Sequence, residues 1–440
     1  MHIEKIFHRI LSTILGGIFC MTIFTCTYAQ EQYIYSFGSK IKKEKNEINI
    51  NDAIRYDSQS GFGFDFGTEK NIFLKNNCLI SDKPFYFSFK LSEGAYKITV
   101  RYVSQKNSFT STIRAESRRN YLNQYVVHST GIPEQTFVVQ VKDAKISTTE
   151  TIKLKERERH KLDWDDKLTL EFQGQNFIES IRLESAKGIT SIFLAGNSTV
   201  VNQEEEPWAS WGQMIPAYFD DQVVVVNQAE SGLSLGSFLS AYRFNKILTD
   251  AQPGDYLFVE FGHNDQKEKG EYAGAFLSYS DRLRLFVREF RKKGGTPIIV
   301  TSTARRAFDD DGNVVNTLGD FPEAARMVAD ELNVPVIDLN LMTTQFYQAL
   351  GVEGSKKALV HYAAGTFPNQ PEPLADNTHF NTYGAHEIAL MVLQGIEKSK
   401  LPLAKHIQNF DGYDPIHPND WRKWNWPPSM ITGATKPDGN

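Results

Sequence analysis

The stretch Ile192-Phe193-Leu194-Ala195-Gly196-Asn197-Ser198-Thr199 joins an unbroken apolar run to a glycine and a short polar segment. A strand that is apolar on both faces belongs inside a covered sheet, because a sheet with one wet face would alternate. The same pattern recurs downstream. Val223-Val224-Val225-Val226, Tyr256-Leu257-Phe258-Val259-Glu260-Phe261, Pro297-Ile298-Ile299-Val300 and Val336-Ile337-Asp338 read as further strands. Helical stretches separate them, from about Leu235, from about Leu277 to Arg291 and from about Pro322 to Leu332, and a last helix begins near Tyr383. Apolar strands alternating with helices predict a parallel sheet covered on both faces. Ligands of such sheets sit outside the carboxyl ends of the strands, so the residues after each apolar run deserve the closest reading.

Upstream the grammar is different. From about residue 30 to 187 short β-type runs follow one another without helices, among them Phe85-Tyr86-Phe87-Ser88-Phe89, Tyr96-Lys97-Ile98-Thr99-Val100 and Leu168-Thr169-Leu170-Glu171-Phe172. Turn signals such as Glu93-Gly94 and Gly174-Gln175-Asn176 separate them. This predicts an antiparallel β-sandwich. The charged stretch Lys153 to Lys167 reads as a solvated loop or hairpin.

A chain of 440 residues is too long for one ordinary core. The expected division is a leader over 1–29, a β-sandwich over 30–187, an α/β unit over 188–402 and a tail over 403–440 that packs on a domain surface. The leader is read from Lys5 and Arg9, the uncharged run Ile10 to Phe24, and Thr27-Tyr28-Ala29 as a cleavage site. A lipoprotein signal at Cys26 is the rival, with Thr25 standing where a smaller residue is usual. No later run is long enough for a transmembrane helix. Outside the leader Cys78 is the only cysteine, so no intrachain disulfide is possible, and its apolar context suggests a buried structural thiol. The formal net charge is −5, and removing the leader makes it slightly more acidic. With no basic stripe to neutralise phosphates, nucleic acid is not an expected partner. In the tail Trp421, Trp424 and Trp426 stand close together, as packing residues or as a sugar-stacking surface.

The chemistry lies after the strands. Gly196 permits a tight turn, and Ser198 is expected to open the next helix with its hydroxyl at the sheet edge. Asn227-Gln228-Ala229-Glu230-Ser231-Gly232 follows the second strand, where Gly232 frees a backbone N–H. Gly262-His263-Asn264-Asp265 follows the third and offers the Asn264 amide. Asp376-Asn377-Thr378-His379 precedes the last helix, in a loop where the carboxylate can reach Nδ1 of the imidazole. Nε2 is then left to take a proton from Ser198. Each motif alone is a common cap or loop. Four of them in order, at the sheet edge or in the loop before the last helix, carry the argument.

This set resembles the SGNH (GDSL) hydrolase superfamily, whose four blocks match Ser198, Gly232, Asn264 and His379. The resemblance spans roughly 190 to 400 and is closest to its rhamnogalacturonan acetylesterase branch. Thr303-Ala304-Arg305-Arg306, Asp309-Asp310-Asp311-Gly312, Phe321-Pro322-Glu323-Ala324 and Pro335-Val336-Ile337-Asp338-Leu339-Asn340 add to it. It implies a flavodoxin-like three-layer fold behind a galactose-binding-like sandwich. It also implies a secreted serine carbohydrate esterase that removes O-acetyl groups from pectic polysaccharide, without cofactor or metal. Ser198, Asp376 and His379 would form the triad. The N–H groups of Ser198 and Gly232 and the Asn264 amide would form the oxyanion hole. Arg305 and Arg306 either meet galacturonate carboxylates or pair with Asp309 or Asp311. His263 and His386 read as structural. One departure is plain: the family usually has Asp before the nucleophile, and this chain has Asn197. Two alternatives stay open, an esterase acting on another acetylated glycan or small ester, and a catalytically dead carbohydrate-binding protein.

Overall fold

Successive side chains of a strand point to opposite faces, so the apolar runs after residue 189 must be covered twice. The computed structural model, which describes residues 32–38, 44–131, 133–430 and 437–438, shows how. Five parallel strands lie in the spatial order Val223–Asn227, Thr190–Gly196, Tyr256–Phe261, Thr296–Thr301, Val336–Ile337. In chain order this is 2-1-3-4-5, the flavodoxin-like arrangement, with its switch point between the first and third strands. Ile192, Leu194, Val225, Phe258 and Ile298 face one layer, where Trp211, Phe346, Ile388 and Met391 cover them. Phe193, Val224, Leu257, Val259 and Ile299 face the other, against Phe238, Phe244, Phe286 and Val328. Each such side chain contributes about 1.5–3 kcal/mol by leaving water.

The helices match the expected places, with boundaries at Leu235–Ser240, Ser280–Lys292, Phe321–Leu332 and Thr382–Lys398. The second starts later than expected because the chain at Ala275–Tyr279 forms a π-type turn interrupted at Leu277. A helix over Leu339–Gly354 was not expected from sequence; Asp338 caps it by accepting the Leu341 N–H. Also unanticipated is an antiparallel pair, Leu359–Tyr362 with Leu374–Phe380.

Two further sheets precede the parallel one. The first runs Glu134–Val141, Gly94–Tyr102, Asn176–Ser185, Gln32–Phe37, Glu47–Ile50, with Cys78–Ser81 and Phe73–Lys75 attached. The second runs Phe62–Asp65, Phe85–Lys90, Lys167–Gly174, Phe109–Ala115, Arg119–Val127. Pairing is antiparallel except between Gln32–Phe37 and Glu47–Ile50, which run parallel. Phe37, Phe64, Phe85, Phe87, Phe89, Val100, Leu170 and Phe172 fill their common core. Cys78, on the Cys78–Ser81 strand, is buried, and burial pushes its thiol up to about 12, as suits a structural thiol.

The charged stretch 153–167 is not a solvated loop. Two short 3-10 turns, Glu156–His160 and Leu162–Trp164, carry Glu158 and Asp163 inward. Glu158 pairs with the buried Arg243, and Asp163 receives Lys142 Nζ at 3.0 Å. Buried charge survives only when paired, and these pairs face residues of the parallel-sheet region: Lys142 Nζ also donates to Asn227 O at 2.9 Å. The tail packs in the same way. The Arg114 guanidinium lies 3.7 Å over the Trp426 ring, Trp426 Nε1 donates to Glu206, and Trp424 stacks on His386. Trp424 and Trp426 are therefore engaged in packing, while Trp421 stays exposed. The leader over 1–29 lies outside the described residues. No helix among those described is long and apolar enough to cross a membrane.

Candidate active site

Ser198 lies just beyond the first parallel strand, at the switch point, but it does not open a helix. Asn197–Val201 is an isolated turn, with the N–H groups of Val200 and Val201 both 3.0 Å from Asn197 O. The next helical residues begin only at Trp211. Gly196 is needed for space rather than for an unusual φ: a Cβ there would stand 2.4 Å from Val200 Cγ2. The turn is pinned from outside by Gln203, whose Nε2 donates to Ser198 O at 2.8 Å.

Asp376 and His379 sit on the Leu374–Phe380 strand rather than in a loop. Asp376 Oδ1 accepts the N–H groups of Thr378 and His379 at 2.8 and 3.0 Å, and Oδ2 lies 2.7 Å from His379 Nδ1. His379 Nε2 is 2.8 Å from Ser198 Oγ. Burial alone would raise the Asp376 carboxyl, but the bonds from His379 and the two N–H groups hold it at about 2. It stays charged at any working pH and fixes the imidazole with Nδ1 protonated. The three side chains thus form one continuous line, each no more than 6% exposed.

Glu260, wholly buried on the third strand, lies beneath the turn. Its Oε1 is 2.8 Å from Thr199 Oγ1 and its Oε2 accepts Trp211 Nε1 at 2.5 Å. Burial pushes its carboxyl up to about 7, against the lowering effect of Trp211 and Thr199. Thr199 Oγ1 also lies 3.0 Å from Asn197 Oδ1. One hydroxyl proton cannot serve two acceptors. Below about pH 7 a protonated Glu260 resolves this by donating to Thr199, which donates to Asn197. An uncharged Asn197 suits that neutral chain better than a second carboxylate would.

Gly232 and Asn264 come from the loops after the second and third strands. Gly232 has φ +78, the left-handed region that favours glycine. Asn264 Nδ2 donates to Leu233 O at 3.1 Å, tying the two loops together and leaving its second N–H. Asp265 joins the same tie, since its Oδ1 accepts the Leu235 N–H at 2.9 Å. His263 is buried beside the Thr303 backbone. Burial first, then the neighbouring charges of Arg305 and His379, lower it to about 3, so it is neutral.

The two arginines separate. Each nitrogen of Arg306 has a partner: Nε donates to Ser355 Oγ, NH1 to Asn377 Oδ1, NH2 to Val352 O. Arg305 donates to His263 O at 3.3 Å and has no carboxylate partner among the described residues. Neither forms the bridge to Asp309 or Asp311 that was the plainer expectation; Asp309 instead closes its own turn by accepting from Asn313. Sequence reasoning also passed over Lys155, Arg157 and Lys161. Lys155 Nζ donates to Ser231 O at 2.7 Å, and Arg157 and Lys161 both pair with Glu230 in the loop that carries Gly232. Their signal was the dense run of basic residues around Glu156 and Glu158, legible only once the 3-10 turns place it.

Comparison with known proteins locates the same region. The GDSL-like lipase/acylhydrolase family matches residues 194–386, a span that contains Ser198, Gly232, Asn264, Asp376 and His379. The rhamnogalacturonan acetylesterase RhgT of Bacillus subtilis is 41% identical over 227 residues, covering 51% of this chain and 97% of that protein. The probable rhamnogalacturonan acetylesterase YesY of the same organism is 32% identical, covering 49% of this chain and 96% of that protein. The crystal structure of YxiM, also from Bacillus subtilis, covers 84% of this chain and 99% of its own at 22% identity, with a TM-score of 0.45. The chain belongs to the GDSL-like lipase/acylhydrolase family, whose members are carboxylic ester hydrolases.

Proposed function

We propose that this protein is an exported serine carbohydrate esterase that removes O-acetyl groups from pectic polysaccharide by way of an acetyl-Ser198 intermediate. The observation that carries the reading is the unbroken line from Asp376 through His379 to Ser198. His379 Nε2 takes the Ser198 proton as Oγ attacks the acetyl carbonyl carbon. The tetrahedral oxyanion is received by the N–H groups of Ser198 and Gly232 and by the Asn264 amide. Loss of one such donor typically costs about 10²–10³ in turnover. Collapse expels the sugar alkoxide, which takes the proton from His379. Water then gives a proton to His379 and attacks the acetyl carbon, and Ser198 Oγ leaves with that proton as acetate departs. Asp376 holds the imidazole in register and balances its transient charge.

The pectic substrate is supported by two relatives named for rhamnogalacturonan deacetylation. It is supported too by Arg305, a half-buried cation beside the site without a carboxylate partner among the described residues. A guanidinium so placed suits a uronate carboxylate. A binding protein that had lost catalysis would have no reason to keep the line intact. Acetate release from acetylated rhamnogalacturonan, acetylated xylan and an aryl acetate, by wild type and Ser198→Ala, tests the reading. Ser198-dependent release strongest on the pectic polymer is expected. Release confined to xylan or the aryl ester would remove the pectic assignment, and release that survives Ser198→Ala would remove the mechanism.

A further inference from the structure

The candidate site has a second wall that the parallel sheet does not supply. Three cations converge on the loop that carries Gly232: Arg157 and Lys161 pair with the buried carboxylate of Glu230, while Lys155 Nζ donates to Ser231 O. One carboxylate leaves positive charge over. Asp438 answers it: its Oδ2 lies 2.9 Å from Lys155 Nζ and its Oδ1 3.3 Å from Arg157 NH1. The two oxygens go to two different cations, the geometry of a carboxylate in a fork. Asp438 also rests on Gly232, since a Cβ placed there would stand 2.8 Å from Asp438 Cβ and 3.2 Å from Lys155 Nζ. A carboxylate can lie this close to the proposed oxyanion donor only because residue 232 has no side chain. Beside it opens a cavity of about 290 Å³ whose lining carries both signs of charge, Arg157 and Lys161 with Glu204 and Glu205, and has Ser231 and Pro437 along its wall.

The Asp438 contact is of the kind that exchanges. Lys155 and Arg157 are 32% and 30% exposed and Asp438 is 53% exposed. Ion pairs at that exposure contribute about 0–1 kcal/mol, so a ligand carboxylate competes on equal terms. We infer that Lys155 and Arg157, held beside Gly232, form an anion subsite of the active site that binds a uronate carboxylate of the substrate chain, and that Asp438 occupies it as an internal stand-in. The identity of that carboxylate rests on the pectic reading above. The tail then competes with substrate, and apparent affinity falls by the fraction of time the subsite is vacant. The 153–167 segment, which arises before the parallel sheet, thereby supplies a specificity element to it.

The test is inhibition of aryl acetate hydrolysis by trigalacturonate, with xylotriose as the uncharged control, on the full-length protein, Lys155→Gln and Asp438→Ala. Trigalacturonate is expected to inhibit wild type. Its inhibition constant should fall about 2- to 6-fold in Asp438→Ala as the competitor is removed. It should rise about tenfold in Lys155→Gln, and xylotriose should inhibit none of the three. Asp438 is exposed, so its variant bears on the subsite even where Lys155→Gln folds poorly. Inhibition constants unchanged in Asp438→Ala, or equal inhibition by xylotriose, would overturn the inference. Calorimetric titration of trigalacturonate into Ser198→Ala and Ser198→Ala/Asp438→Ala reads the subsite without turnover. A failed esterase assay and a failed subsite are thus distinguished.

Discussion

On one side of Ser198 the Asn197–Val201 turn, Glu260 and the Asp376–His379 strand form a network in which Ser198, Glu260, Asp376 and His379 are all at most 6% exposed. On the other side Lys155 and Arg157 meet Asp438 through ion pairs between side chains about a third to a half exposed. The first wall is dry, and its hydrogen bonds fix atoms to within the tolerance that proton transfer needs. The second is wet, and its charges are screened and replaceable. Chemistry is assigned to the rigid wall and recognition to the exchangeable one. The two should respond differently to substitution, pH and salt.

The sharpest break is at the nucleophile. Ser198→Ala or His379→Ala should lower kcat by about 10⁴–10⁶ and leave the unfolding midpoint nearly unchanged, read by acetate release and calorimetry on one preparation. Asp376→Asn should cost about 10³–10⁴, because the imidazole loses its charged partner while the strand keeps its shape. On the loop between the walls, Gly232→Ala puts a side chain at φ +78 and against Asp438. A loss of about 10² in kcat is expected, with KM for acidic substrate raised as the added methyl crowds Lys155.

Glu260 separates the walls by pH. Its carboxyl is raised to about 7 from an ordinary value of 4.5. Between those values the folded protein holds a proton that the unfolded chain has released. Its contribution to stability is therefore full below the ordinary value and is lost as pH rises toward 7. Glu260→Gln keeps a donor for Thr199 and removes that slope. It should match wild type near pH 4 and exceed it near pH 8 by on the order of 3 kcal/mol, measured by guanidinium unfolding. A parallel loss in both proteins would show that Glu260 is ionised beneath the turn. The smallest effect expected is a contrast between neighbours. Arg306→Ala should cost about 1–3 kcal/mol of stability with KM unchanged. Arg305→Ala should raise KM for acidic substrate several-fold with stability unchanged, and added salt should erase that difference.

How much of this was legible beforehand follows from what each region depends on. The parallel sheet was readable because Val223–Val226 and Tyr256–Phe261 carry their double burial in local composition. The catalytic candidates were readable because Asp376 and His379 are close in sequence before the last helix and the other three blocks each follow an apolar run. Their setting was not. Ser198 looked like a helix start, yet the turn closes on itself and is held by Gln203 and Glu260, contacts that no local pattern announces. The helix over Leu339–Gly354 escaped because Thr343, Thr344, Gly351 and Gly354 dilute its periodicity. The 153–167 segment read as solvated because its charges are dense, and their partners, Glu230, Arg243 and Lys142, lie elsewhere in sequence. Long-range ion pairs leave no trace in spacing. Arg305 and Arg306 were indistinguishable for the same reason, since only the fold places Val352, Ser355 and Asn377 around one and not the other.

The most direct test of the central claim is active-site labelling with an organophosphonate ester that phosphonylates activated serines. The account predicts stoichiometric loss of ester hydrolysis, with the phosphonyl group mapped by peptide mass to Ser198, and no labelling of His379→Ala on the same timescale. Labelling of a different serine with loss of activity, or equal labelling of Ser198 without His379, would contradict it.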